Sequence, residues 1–350
     1  MQHRASFVLL AALALPSLTF ANAQEEMPAP ATELKKLEGL IGHWQGSGTA
    51  LMAPGSQPSK WTSQSTYAWS LGNHFVREDT IVAFSGMPQP MAFRCYYGWD
   101  REGGRYVNVM VSNSGEAKLV ELQILADGTM LQFIPHQENG SNWIERARSK
   151  IDGDSMSMTI DFLMAEGPSA QIVTGSFERV DKVKATALDA SAFEATPNEA
   201  MRKLARMAGT YSIDGNMVMM HGSPPMKITG TDKLSMLFGG NVLLTTTEGY
   251  AAGSTAKYEA ENYFAWDPLR KCIVSVFVSN MGEVGSMESR FSEDGKSLIS
   301  TTAATYMGQP CAQRYVLELD ADGKLTKGSG HCLIGTTAPY QSFSATYTKK

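Results

Sequence analysis

Histidine is scarce in this chain, and the familiar signatures of catalysis are missing. Beyond His3 there are only His43, His74, His136, His221 and His331, with no two at metal-ligand spacing. There is no C-x-x-C, no H-E-x-x-H, no G-x-S-x-G elbow and no P-loop. Nothing therefore announces zinc hydrolysis, an elbow serine or nucleotide hydrolysis. Asp and Glu are scattered, so no carboxylate pair stands out. Positive charge is not in excess: 30 Lys and Arg face 35 Asp and Glu, a formal net charge of −5. That disfavours nucleic acid and anionic membrane surfaces, which call for a basic face. No apolar run reaches the roughly 20 residues of a membrane-spanning helix.

The longest apolar run, Phe7–Leu15, follows His3 and Arg4 and precedes Ala21-Asn22-Ala23. This is the pattern of a removable signal peptide over residues 1–23. No cysteine follows it to carry a lipid, so the mature protein is expected to be soluble and exported, to a bacterial periplasm. An exported chain with four cysteines suggests disulfides. Cys311 and Cys332 lie symmetrically about Ala321-Asp322. A hairpin tip there would set them opposite each other at bonding distance, and a disulfide is expected. Cys95 and Cys272 have no such geometry and either link the two halves or remain buried thiols.

What the chain does have is a repeat, 167 residues apart. Gly98-Trp99-Asp100 returns as Ala265-Trp266-Asp267, and Val109–Glu116 returns as Val276–Glu283. Leu71-Gly72 answers Phe238-Gly239, and Asp127-Gly128 answers Asp294-Gly295. A period this long means whole domains rather than solenoid units. The boundaries read as 24–180 and 197–350, joined by an Ala-rich linker over 181–196. Each repeat opens on a short helix signal. In the first, Thr32 caps, Leu34, Leu37 and Leu40 form an apolar face, and Gly42 stops it. In the second, Thr196-Pro197-Asn198-Glu199 reads as a capping box before Met201, Leu204 and Met207. Such a helix either lids a cavity or plugs a barrel floor. Short alternating strands with Asp-Gly turns follow in both, which predicts an all-β protein of two antiparallel barrels.

Gly42-His43-Trp44-Gln45-Gly46-Ser47-Gly48 after a helix resembles the opening strand of calycin barrels: lipocalins, fatty-acid-binding proteins and nitrobindins. The order of Tyr67-x-Trp69-x-Leu71-Gly72, Gly86-Met87-Pro88, Tyr97-Gly98-Trp99-Asp100 and Phe177-Glu178-Arg179 is similar to the bacterial domain of unknown function 1579. The likeness covers residues 32–180, and 199–350 as a more divergent copy in which Tyr211, Ile213 and Met236 replace Trp44, Gly46 and Trp69. It implies two tandem calycin-like barrels. It also implies a structural cation–π contact of Trp44 with Arg179, matched by Tyr211 and Lys349. Nitrobindins hold haem through a histidine near the last strand. The corresponding stretch here, Pro339–Tyr347, has none, so no cofactor is expected.

Within the first repeat, Val107, Val109 and Val111 form an apolar face suited to dense packing, and Asn108, Met110 and Ser112 form the other. With Tyr67, Trp69, Phe75, Arg94 and Tyr96, the mixed face supplies candidate contacts for a small lipophilic ligand. The leading reading is a module binding a small, mostly apolar molecule in a barrel cavity. An enzyme using Arg94, His74 or Glu78 on a hydrophobic substrate, or a structural protein with filled barrels, are the alternatives. The S-N-x-G-E repeats at Ser112–Glu116 and Ser279–Glu283 either line a barrel mouth or form a strand exit and turn with Glu facing solvent.

Overall fold

A computed structural model describes residues 27–51, 56–138, 141–164, 169–183, 197–306 and 308–350. The stretch expected to be a signal peptide, Thr196 and most of the linker lie outside these. Ten strands build the first barrel: β1 (Gly42–Ala50), β2 (Ser59–Ser70), β3 (Phe75–Phe84), β4 (Met91–Asp100), β5 (Arg105–Ser112), β6 (Ala117–Ile124), β7 (Met130–Glu138), β8 (Ser141–Asp152), β9 (Ser155–Met164) and β10 (Ala170–Val180). Each pairs antiparallel with its sequence neighbours, and β1 closes the ring on β10.

The second barrel repeats the order as β11 (Gly209–Met217), β12 (Met226–Leu237), β13 (Val242–Ala251), β14 (Tyr258–Asp267), β15 (Cys272–Ser279), β16 (Val284–Phe291), β17 (Ser297–Tyr306), β18 (Gln309–Leu319), β19 (Leu325–Ile334) and β20 (Tyr340–Lys349), closed by β11 on β20. The chain is all-β with two tandem closed barrels.

The opening helices differ from the sequence expectation. The first is a 3-10 helix over Thr32–Leu40, and its cap position is Ala31 with no side-chain hydrogen bond. Thr32 instead donates to its neighbour Glu33. The α-helix α1 (Glu199–Arg206) lies in the chain between the two barrels, and Asn198 caps it by accepting from the Met201 amide. Both segments serve as plugs. Leu34, Leu37 and Leu40 pack with Trp44, Val76 and Tyr106 in the first core. Met201, Leu204 and Met207 join Tyr211 and Phe264 in the second.

Strand alternation fixes which side chains fill each lumen. On β1 and β10 the inward positions include Gly46, Gly48 and Gly175, and their lack of side chains makes room for aromatic rings. A Cβ on Gly175 would fall 2.1 Å from the Trp61 indole, and one on Gly46 2.5 Å from Phe177. Trp61 and Phe177 then pack with their rings tilted at 46° and centroids 5.6 Å apart.

The valine faces point outward, and they meet. Val109 and Val111 of β5 join Val276 and Val278 of β15, with Phe75, Tyr96, Phe238, Val242 and Tyr263, in one core between the barrels. The contact has pseudo-twofold character. Asn241 donates to the Asn113 carbonyl, while His74, its counterpart, lies against Gly282. Both S-N-x-G-E segments are turns: Gly115 and Gly282 amides donate to Ser112 and Ser279. Asn113 and Asn280 each pin their turn through both side-chain atoms, Asn113 to Ala92 and Pro90, Asn280 to Glu259 and Lys257. Glu283 departs from the solvent-facing expectation. It is buried and accepts from Ser279 at 2.9 Å.

The cysteine hairpin also departs from expectation. The hairpin tip is centred on Asp322, and a bulge beside Leu319 adds one more residue of shift, so Cys311 pairs with Ile334 and Cys332 with Gln313. The sulfurs lie diagonally 3.4 Å apart as free, buried thiols.

Candidate functional site

The lumen of the first barrel carries a row of polar groups across four strands. Cross-strand pairing sets Tyr67 beside Glu78, Glu78 beside Cys95, and Cys95 beside Met110. The next row runs Trp69, Val76, Tyr97, Asn108. Glu78 is buried at 8% exposure. Its carboxylate accepts from the Tyr97 hydroxyl at 2.7 Å and from Thr80 at 2.6 Å, and the Tyr67 hydroxyl also bonds to it. Ser65 lies 2.5 Å from the Thr80 hydroxyl. A buried carboxylate is tolerated only with such donors around it.

Burial first, and then the charge of Glu78, push the Tyr67 and Tyr97 hydroxyls and the Cys95 thiol above their ordinary ionisation ranges. All three therefore remain protonated at neutral pH. Asn108 donates to Gln132 at 3.1 Å, but its own carbonyl oxygen is buried without a partner, as are Trp61 Nε1 and Ser63 Oγ. Leaving a buried polar atom unpaired costs about 1–3 kcal/mol.

The second lumen is built differently. Thr245, Leu234 and Phe264 occupy the positions of Glu78, Tyr67 and Tyr97. Asp232 stands at the position of Ser65, with the Thr247 hydroxyl donating to it at 2.7 Å. Burial raises the Asp232 carboxyl well above its ordinary range.

The sequence candidates divide between two places. Tyr67, Trp69, Asn108, Met110 and Ser112 lie on the lumen face by strand register. Phe75, Arg94 and Tyr96 do not; they point outward into the contact between the barrels. There Arg94 pairs with Asp79 at 2.7 Å and reaches the Tyr263 hydroxyl, and the Tyr96 hydroxyl donates to Glu261. His74 is in the same contact, so of the three proposed acids and bases only Glu78 reaches the lumen. Tyr97 and Cys95 escape the sequence reading because it sets Arg94 and Tyr96 of β4 inward, and Thr80 escapes it because it sets Phe75 of β3 inward. The pairing of Tyr97 with Asn108 is the signal that corrects it.

A crevice of about 200 Å³ opens beside the contact, lined by Ser70, Leu71, Glu248, Glu259 and Glu261. Its carboxylates are already engaged: Lys257 bridges Glu248 and Glu259 at 3.0 and 2.8 Å, and Tyr96 takes Glu261. At the barrel floor, Trp44 donates its indole N–H to the Leu40 carbonyl at 2.8 Å, with the Arg179 guanidinium 4.4 Å over its ring. In the second barrel the Tyr211 hydroxyl donates to Met207, the residue equivalent to Leu40, at 2.8 Å.

Two stretches, residues 29–179 and 196–330, match the family model described as "Protein of unknown function (DUF1579)". The chain belongs to the DUF1579 family. The first matched stretch of this DUF1579 protein ends on Arg179, and the second stops within β19. Among solved structures it is similar to Rv2717c from M. tuberculosis, at 17% identity over 43% of this chain and 99% of that one, with a TM-score of 0.34. It is also similar to a DUF3598 protein of unknown function from Nostoc punctiforme PCC 73102, at 11% identity over 91% of this chain and 100% of that one, with a TM-score of 0.27. No curated protein matches the chain. No helix among the described residues is long and apolar enough to cross a membrane.

Proposed function

We propose that this DUF1579 protein is exported to the periplasm and that its first barrel holds a small, mostly apolar ligand in the lumen. The ligand carries a hydrogen-bond donor, which meets the buried and unpartnered carbonyl oxygen of Asn108. That orphaned acceptor, beside the Glu78 network and among aromatic walls, is the observation that carries the reading. Barrel width supports it: eight strands already leave room for one small ligand, and diameter grows with strand number, here ten. Tyr67, Trp69 and Met110 supply the apolar contacts and Tyr97 orients Glu78.

Native mass spectrometry of protein purified gently from its own periplasm tests this. An extra mass lost on denaturation, and lost also in Asn108→Leu, is the expected result. A bare wild-type mass at every purification would overturn tight binding. The close approach of Glu78 to protonated Tyr97 favours a second reading, a proton-transferring enzyme with Glu78 as base. In that case Glu78→Gln keeps the bound mass and accumulates it.

A further inference from the structure

The wall of the first barrel is not zipped along its whole length. β6 and β7 pair only through Leu122–Gln132, Gln123–Leu131 and Ile124–Met130, next to their turn. Beyond these, Ala117–Glu121 are held by β5 on one side, and Phe133–Glu138 by β8. Among the described residues neither run has a partner across the seam. Continuing the register would bring Pro135 opposite Leu119. Proline has no N–H to give a ladder and belongs on strand edges, so the sequence itself keeps the seam open.

The copy shows what closure looks like. In the second barrel β16 and β17 also pair only near their turn, from Glu288–Thr301 to Phe291–Leu298. The turn there is one residue longer, so Ala303 stands where the first barrel has Pro135, and the preceding Thr302 sends its hydroxyl to the Ser286 carbonyl at 2.9 Å, across the seam. Ser286 is the equivalent of Leu119.

The two lips of the open seam are unequal. Outward-facing Ala117 and Leu119 of β6 pack into the core between the barrels, which anchors that lip. The opposite lip, β7 with β8, presents Phe133 and Ile144 to solvent at 43% and 42% exposure. Just inside, at the zipped end, stand Gln132 and Asn108 with its unpartnered oxygen. An apolar approach, an unbonded opening and a polar receptor thus lie in line.

We propose that the β6–β7 seam is the entrance through which an uncharged amphipathic ligand reaches Asn108, and that Thr302 closes the matching seam of the second barrel. This rests on the lumen-binding reading above. The test is stopped-flow uptake of N-phenyl-1-naphthylamine, an apolar fluorophore with one N–H donor, by the full chain. Pro135→Thr, which restores the missing donor, is expected to slow association and dissociation together by about tenfold at unchanged Kd. Thr302→Ala is expected to add an uptake phase from the second barrel, and this test stands even if Pro135→Thr does not fold. Wild-type uptake with rates unmoved in Pro135→Thr, or with no added phase in Thr302→Ala, overturns the entrance and leaves the lumen reading intact. No uptake by the wild type overturns both.

Discussion

At the scale of single residues, the chain solves the same problem twice with different groups. Trp44 and Tyr211 both send a polar tip to the carbonyl four residues earlier while filling the barrel floor. Trp44→Ala removes that bond and a fully buried ring, so it should lower unfolding free energy by about 3–5 kcal/mol in urea titration. Asp232 is a different case. Its folded-state ionisation lies above that of the unfolded chain, so its contribution is present at low pH and lost as pH rises. Asp232→Asn should therefore gain on the wild type in thermal melts more at pH 8 than at pH 4. An equal gain at both would show that Asp232 does not resist ionisation.

Elements are decided by what their inward positions leave out. The Trp61 ring occupies the space above Gly175, so Gly175→Val should cost about 1–3 kcal/mol by overpacking, read as a lower denaturation midpoint at unchanged slope. Much at this scale was legible in the sequence. Alternation and Asp-Gly turns placed the strands, and the repeat placed the two barrels. The apolar faces of the opening helices appear as plugs, although Leu34, Leu37 and Leu40 do so from a 3-10 helix. Less legible was whatever depends on pairing between strands. The turn centred on Asp322 and the bulge at Leu319 together set the cysteines diagonal rather than opposite, and no local signal fixes such a shift. Arg94 and Tyr96 went to the wrong side because a strand with large residues on both faces does not declare its inside. The all-valine face was readable as dense packing, but its partner was invisible, since that partner is the other copy of itself.

For the whole molecule, the contact between the barrels holds a group that responds to acid. Burial, and then the nearby Arg101, lower the His74 ionisation to about 4, and its Nε2–H donates to the Pro28 carbonyl at 3.0 Å. The unfolded chain takes up that proton first, so stability is present above the ordinary histidine range and falls as pH drops toward 4. The equivalent residue across the pseudo-axis is Asn241, which cannot titrate. His74→Asn should narrow the difference in melting temperature between pH 7.5 and pH 4.5; an unchanged difference would place the acid response elsewhere. The same axis carries a second asymmetry. Arg94 and Glu261 are equivalent positions in the two repeats, and both converge on the Tyr96–Tyr263 hydroxyl pair. During synthesis the first barrel is complete while its valine face still waits for a partner. Two such nascent halves meeting through that face would set one Arg94–Asp79 pair against another and would lack the Glu261 carboxylate that receives the tyrosine hydroxyls, which only the second repeat brings.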